Sequence, residues 1–244
     1  MNNIYIPPVV KNLLIINVIF FAATYLLGNN VNLTYLLGAF YFDSQFFGVW
    51  QLVTYMFMHG NFMHIFFNMF ALFMFGSALE SRWGAKRFLN FYLITGLGAV
   101  ALQMGVQAYE VYQITGSLTN PISVDLSAQM ASVPIPNITQ DQRDTLIGIY
   151  GFPMVGASGA IFGLLVAFGM IFPNTELYLM FIPVPIKAKY IIPLYIILEL
   201  SLGVAKIPGD SVAHYAHLGG ALVGFILVKL WKDRNNNRFY EYYE

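Results

Sequence analysis

Six apolar runs, each close to the length of a bilayer crossing, restrict this chain to a narrow set of folds. They extend from about Val9 to Leu27, Asn61 to Leu79, Phe88 to Gln107, Met154 to Phe172, Lys189 to Val204 and Val212 to Leu230. Backbone in hydrocarbon must satisfy its own N–H and C=O groups, which leaves helices or a closed barrel, and long runs without strict alternation read as helices. Composition agrees, since 58% of the 244 residues are hydrophobic and 10% are charged, against about 25% charged in a soluble domain. The expected fold is an all-α, polytopic membrane protein, a six-helix bundle forming a single domain over residues 1–244. The stretch before Val9 lacks the Arg- and Ser-rich character of a transit peptide, and the first run is too long for a signal peptide, so it reads as a retained span.

Two segments between the runs carry their own signals. Residues from about 28 to 60 mix Phe40, Tyr41, Phe42, Phe46, Phe47 and Trp50 with Asp43, Gln45 and Gln51, as expected of an interfacial outer loop. Residues from about 108 to 153 form a polar connector with Asn120-Pro121, Pro134, Pro136, Asp141 and Asp144, long enough to suggest a function or disorder. The net charge of zero provides no field for nucleic acid, and the absence of cysteine removes thiolate nucleophiles and Cys-ligated metals. No metal and no cofactor is expected.

The cations set the orientation. Lys11, Arg82, Lys86, Arg87, Lys187, Lys189, Lys229, Lys232, Arg234 and Arg238 fall on one side, while Arg143 and Lys206 fall on the other. Both termini are therefore expected in the cytoplasm and the long connector outside. At 1.5 Å per residue, Ser158 stands roughly 22 Å above Pro173, His217 roughly 18 Å above Lys229, and Asn68 roughly 21 Å above Arg82, with His64 one turn higher. In a hydrocarbon core of about 30 Å these side chains share one layer, roughly 5 to 12 Å below the outer surface.

Polar groups at that depth are costly unless paired or beside a water-filled cavity. Ser158 lies in Gly156-Ala-Ser-Gly-Ala-Ile-Phe-Gly163, where small residues admit a neighbouring helix. Ala213, His217, Gly220, Ala221 and Gly224 form a matching small-residue stripe in the last run, and packing it on Gly159 and Gly163 places His217 near Ser158. His64 and Asn68 share a helix face. Histidine can take the serine proton and return it to a leaving amine.

With those residues in view, the chain resembles a rhomboid intramembrane serine protease over about Leu13 to Leu230. Gly156-Ala-Ser158-Gly159 is similar to the Gly-x-Ser-Gly nucleophile motif, and His59-x4-His64-x3-Asn68 to the second-helix motif. Ala216-His217-Leu218-Gly219-Gly220 is similar to the sixth-helix motif, and Glu80-Ser-Arg82-Trp-Gly84 to the Glu-x-Arg-x-Gly of the inner loop. The resemblance implies a Ser158–His217 dyad without a carboxylate, and an oxyanion held by the Ser158 N–H, His64 and Asn68. It implies supporting roles for His59, Gly156, Gly159 and Phe162, the last stacked beneath His217 in place of a tyrosine. Gln51 stands where some members have arginine after Trp50. Glu199 is set aside as catalytic, because its helix corresponds to the family's lateral gate, and His214 is expected to face water.

The implied activity is endopeptidase cleavage of single-span membrane proteins, in the bilayer and without nucleic acid or metal, with a bacterial inner membrane as the expected location. The alternative is a non-catalytic rhomboid-like scaffold that binds transmembrane helices. A membrane zinc protease would need His-Glu-x-x-His and an aspartyl protease two intramembrane aspartates, and neither pattern is present.

Overall fold

The computed structural model describes residues 5–28, 31–125, 130–179, 182–205 and 213–231. Lys206, Val212 at the expected start of the last run, and the tail from Lys232 with Arg234 and Arg238 lie outside these residues. Helix α1 (Pro8–Leu27) starts with Pro8, where no N–H is required. The outer loop contains α2 (Leu33–Leu37), α3 (Gln51–Thr54) and a 3-10 turn (Tyr55–Phe57). The second run is α4 (Phe62–Ala71), a π-helical turn (Leu72–Gly76) and α5 (Ser77–Trp83) in sequence. Gly84, at φ 80°, makes the reversal into α6 (Ala85–Thr115) with a backbone conformation that a side chain would strain.

The connector is ordered where it is described. A two-stranded antiparallel hairpin, β1 (Ser123–Asp125) and β2 (Met130–Ser132), precedes α7 (Gln140–Gly151). Thr139 and Gln142 start α7 with reciprocal side-chain bonds to each other's backbone N–H. After α8 (Ser158–Ile171), the hairpin β3 (Glu176–Leu179) and β4 (Ile182–Lys187) leads into α9 (Ala188–Ala205), and α10 (His214–Leu230) follows.

Among the described residues, the helices Pro8–Leu27, Phe62–Trp83, Ala85–Thr115 and Ala188–Ala205 are long and apolar enough to cross a membrane, and the protein is a mostly helical membrane protein. Helices α8 and α10 are apolar but shorter, at 14 and 17 residues. The fourth run begins at Met154 by hydropathy, yet α8 begins only at Ser158. Met154 is instead held extended in a bridge to Ala39, and Gly156 has φ 127°. Conversely, α6 continues past Gln107 to Thr115, because Val111 there is buried against the connector.

Helix α8 packs against α6 and α10 through small residues. A Cβ on Gly163 would lie 2.6 Å from Thr95 Cγ2 of α6, and one on Gly224 would lie 2.7 Å from Gly163 Cα. A Cβ on Gly220 would run into the Gly159 carbonyl, so α8 and α10 meet backbone to backbone. This contact brings the first turn of α10 beside the first turn of α8.

The outer loop and connector share a second core of Tyr41, Val111, Ile122, Val133, Leu146, Ile149 and Tyr150. Asp43 Oδ2 accepts from the Asn120 N–H at 2.7 Å and the Tyr150 hydroxyl at 2.9 Å, and Ser44 Oγ donates to the Tyr150 carbonyl at 2.6 Å. Burial and the neighbouring Asp43 push the Tyr41 hydroxyl up to about 12. Gln51 is buried at the centre of the loop. Its Oε1 accepts from Gly48 N at 3.1 Å, and its Nε2 donates to the Phe46 carbonyl at 2.9 Å. The residue that replaces a cation in the motif therefore organises loop backbone.

Glu80 is buried, and its carboxylate accepts from Val9 N at 2.9 Å and Val10 N at 2.8 Å. Those N–H groups belong to the open first turn of α1, so Glu80 caps a helix distant in sequence. Glu80→Ala is expected to cost about 1–3 kcal/mol by stranding them. A lower melting temperature with unchanged kcat in the surviving fold is the expected result.

Candidate active site

Ser158 is the first residue of α8, half-buried, and the chain leading to it is fixed on both sides. The Ala39 and Met154 backbones exchange hydrogen bonds of 2.9 and 2.8 Å, and Gly156 N donates to the Tyr55 carbonyl at 3.0 Å. The Tyr55 hydroxyl in turn donates to the Gly96 carbonyl of α6 at 2.7 Å. Gly156 is required twice over: its φ of 127° strains any L side chain, and a Cβ there would lie 2.7 Å from His64 Nε2. As the helix starts at Ser158, the N–H groups of its first turn have no partner within α8 and face the direction from which an anion is best held.

His217 is on α10, buried, with Nε2 2.7 Å from Ser158 Oγ. The Phe162 ring lies flat beneath it, at 4.3 Å between centroids and 8° between planes. The pair is therefore aligned for proton transfer from Oγ to Nε2, with the imidazole fixed by stacking.

The opposite edge of His217 differs from the expectation. Nδ1 is 2.9 Å from Glu199 Oε2, and the same oxygen is 2.7 Å from His214 Nδ1. The expected absence of a carboxylate near His217 is thus corrected, and so is the expectation that His214 faces water, since it is buried. The physical reason is an ion within an apolar helix: Glu199 is 5% exposed, and at that burial a carboxylate requires donors, which the two histidines of α10 supply. A depth estimate carries the signal, because Glu199 stands roughly 15 Å above Lys189, within one turn of the level of His217. His214 and His217 are also three apart on a helix, hence on one face.

Helix α4 closes the other side. The Asn61 side chain caps it by accepting from His64 N at 2.9 Å. His64 Nε2 and Ser158 Oγ flank one point at Gly156, since a Cβ there would lie 2.7 Å from the first and 3.5 Å from the second. Gly60 N donates to His64 Nδ1 over a long 3.5 Å, and a neutral ring with Nδ1 as acceptor carries its proton on Nε2. Asn68 is buried one turn below, where Nδ2 donates to the His64 carbonyl at 2.9 Å. His59 meets the His64 ring edge-on at 5.0 Å. Burial first, and His64 second, hold its pKa lowered to about 3, so it is a neutral spacer between the outer loop and α4.

Glu199, His214 and His217 are, among the described residues, the group whose ligand-type atoms converge as at a metal site, all within 4.8 Å. Both Nδ1 atoms bond to the same Glu199 oxygen, which places the carboxylate between two rings. They form a hydrogen-bonded chain from His214 through Glu199 and His217 to Ser158.

A family model described as Rhomboid domain matches residues 47–233. RHOMBOID-like protein 5 of Arabidopsis thaliana is 30% identical over 179 residues, 73% of this chain and 42% of that protein. RHOMBOID-like protein 12, mitochondrial, of the same plant is 30% identical over 193 residues, 77% of this chain and 47% of the relative. Rhomboid protein 1, mitochondrial, of Saccharomyces cerevisiae is 29% identical over 170 residues, 70% of this chain and 38% of the relative. The chain spans less than half the length of these curated relatives. They come from a plant and a yeast, and lend no support to the expected bacterial inner membrane.

Proposed function

The chain belongs to the rhomboid family, and we propose that it is an intramembrane serine endopeptidase that cleaves single-span membrane proteins. The observation that carries the proposal is the 2.7 Å contact between His217 Nε2 and Ser158 Oγ, at a helix start whose first N–H groups have no partner within the helix. Ser158 is the nucleophile and His217 the general base, then the acid for the leaving amine. The Ser158 N–H, His64 Nε2 and Asn68 hold the oxyanion, while His59, Gly156, Gly159 and Phe162 support the geometry.

Counting α8 and α10 with the longer apolar helices gives six spans with both termini in the cytoplasm. At 1.5 Å per residue α8 is about 21 Å long, short of a hydrocarbon core of about 30 Å. With its other end at the inner surface, its start at Ser158 falls below the outer surface. A substrate helix hides its scissile carbonyl in backbone hydrogen bonds, so cleaved spans carry Gly, Pro or other small residues near their outer end, where unwinding is cheap.

Two measurements on the detergent-purified chain test the reading: labelling by a fluorophosphonate probe, and cleavage of a model single-span substrate. Labelling at Ser158 and cleavage of the Gly-containing span are expected, with a Leu-rich span resistant. A protein that binds the span but neither labels nor cleaves is the scaffold alternative. Equal rates on both spans would count against entry by unwinding.

A further inference from the structure

We infer that Glu199 is a positioning residue for His217: its carboxylate, braced by His214, keeps a proton on His217 Nδ1 and leaves Nε2 as the lone pair that faces Ser158. The inference deepens the serine-protease reading and rests on it, but concerns a residue outside the motifs that carry the family resemblance.

The argument is one of donors and acceptors. An ionised carboxylate only accepts, and Glu199 Oε2 lies 2.7 Å from His214 Nδ1 and 2.9 Å from His217 Nδ1. Both Nδ1 atoms therefore carry hydrogen. A neutral imidazole has a single N–H, so His217 Nε2 is the acceptor, and at 2.7 Å its partner Ser158 Oγ must donate. Without the carboxylate, the alternative tautomer would place N–H against the serine hydroxyl and disable the base.

In the reaction the serine proton passes from Oγ to Nε2 as the Oγ–carbon bond forms, and from Nε2 to the amine as the peptide bond breaks. The Nδ1 proton stays on His217 and Glu199 stays ionised, so its charge offsets the imidazolium in a low-dielectric setting. Burial makes His214 necessary to this arrangement, because a carboxylate that is 5% exposed is poorly held by one donor.

A second contact from α9 acts on the same ring. Tyr195, one turn before Glu199, packs on Phe162 at 5.1 Å, and Phe162 stacks on His217. Helix α9 thus holds His217 at its edge through Glu199 and at its face through Phe162. Movement of α9 away from α10 would release both constraints together.

The test is the second-order rate of fluorophosphonate labelling, together with kcat and KM on the single-span substrate and a melting temperature. Wild type, Ser158→Ala, Glu199→Gln and Glu199→Asp are compared as purified chains of residues 1–244. The small probe forms an Oγ–phosphorus bond and expels fluoride without admitting a substrate helix, so it reports on Ser158 activation alone. Glu199→Gln should label at least about tenfold more slowly, short of the roughly 10⁴-fold lost when a triad aspartate becomes asparagine. Its kcat should fall by a similar factor with KM little changed, and Glu199→Asp, still charged but a methylene shorter, should fall between it and wild type.

Wild-type labelling and kcat in a folded Glu199→Gln overturn the inference and leave the protease reading intact. If Glu199→Gln does not fold, wild-type labelling by Glu199→Asp overturns it instead. A wild-type chain that labels no faster than Ser158→Ala removes both readings.

Discussion

Ser158→Ala is expected to lower kcat by about 10⁴- to 10⁶-fold, and His217→Ala by a comparable factor, because nucleophile and base act as a unit. The two substitutions should separate in stability. Ser158 Oγ bonds only to His217 among the described contacts, so its loss should leave the melting temperature nearly unchanged. His217 is buried, stacked on Phe162 and bonded to Glu199, and its removal deprives a buried carboxylate of a donor. That should cost about 1–3 kcal/mol. Turnover assays and thermal melts on the same preparations check both statements, and substantial turnover by either purified variant removes the dyad.

Asn68→Ala and His64→Ala are each expected to lower kcat by about 10²- to 10³-fold, or roughly 3 to 4 kcal/mol, with KM little altered. A tetrahedral intermediate places a full negative charge on oxygen in a site of low dielectric, where each preorganised donor counts for more than in water. His64 is poised for this, with Nε2 beside the Gly156–Ser158 turn and Nδ1 turned to Gly60. Asn68 Nδ2 is bonded to the His64 carbonyl, so one of its hydrogens is in use and the other is the donor at issue. Asn68→Ala with a lower melting temperature and near-normal kcat would return Asn68 to a packing role.

Much of this arrangement is legible in the sequence because membrane helices expose their rules plainly. Length and apolarity locate the runs, and small residues at Gly159, Gly163, Gly220 and Gly224 show where two backbones can touch. Given that contact, Ser158 and His217 fall at one level. The start of α8 is less legible, since hydropathy does not register that Gly156 has a positive φ and that Met154 pairs with Ala39. The connector is less legible still, because its order depends on tertiary contacts such as Asp43 with Asn120 and Tyr150.

Glu199 is misread for a different reason. Assigning its helix to a gate removes it from the search for catalytic groups, although its depth and the pair His214 and His217 point to it. A charge in an apolar run calls for a partner whatever the role of its helix. The same holds for Glu80, whose motif is visible in the sequence while its partners, the N–H groups of Val9 and Val10, are not.

That cap has a consequence in time. Glu80 follows Val9 by 71 residues, so on a ribosome the first helix is complete long before its anchor exists. At about 5–20 residues per second the interval is roughly 4 to 14 seconds, during which the first turn of α1 lacks this cap. The first turn of α1 gains this cap only when α5 emerges, and substitutions at Glu80 should therefore reduce cellular yield, through clearance of chains that never gain it, before they reduce the activity of the molecules that do.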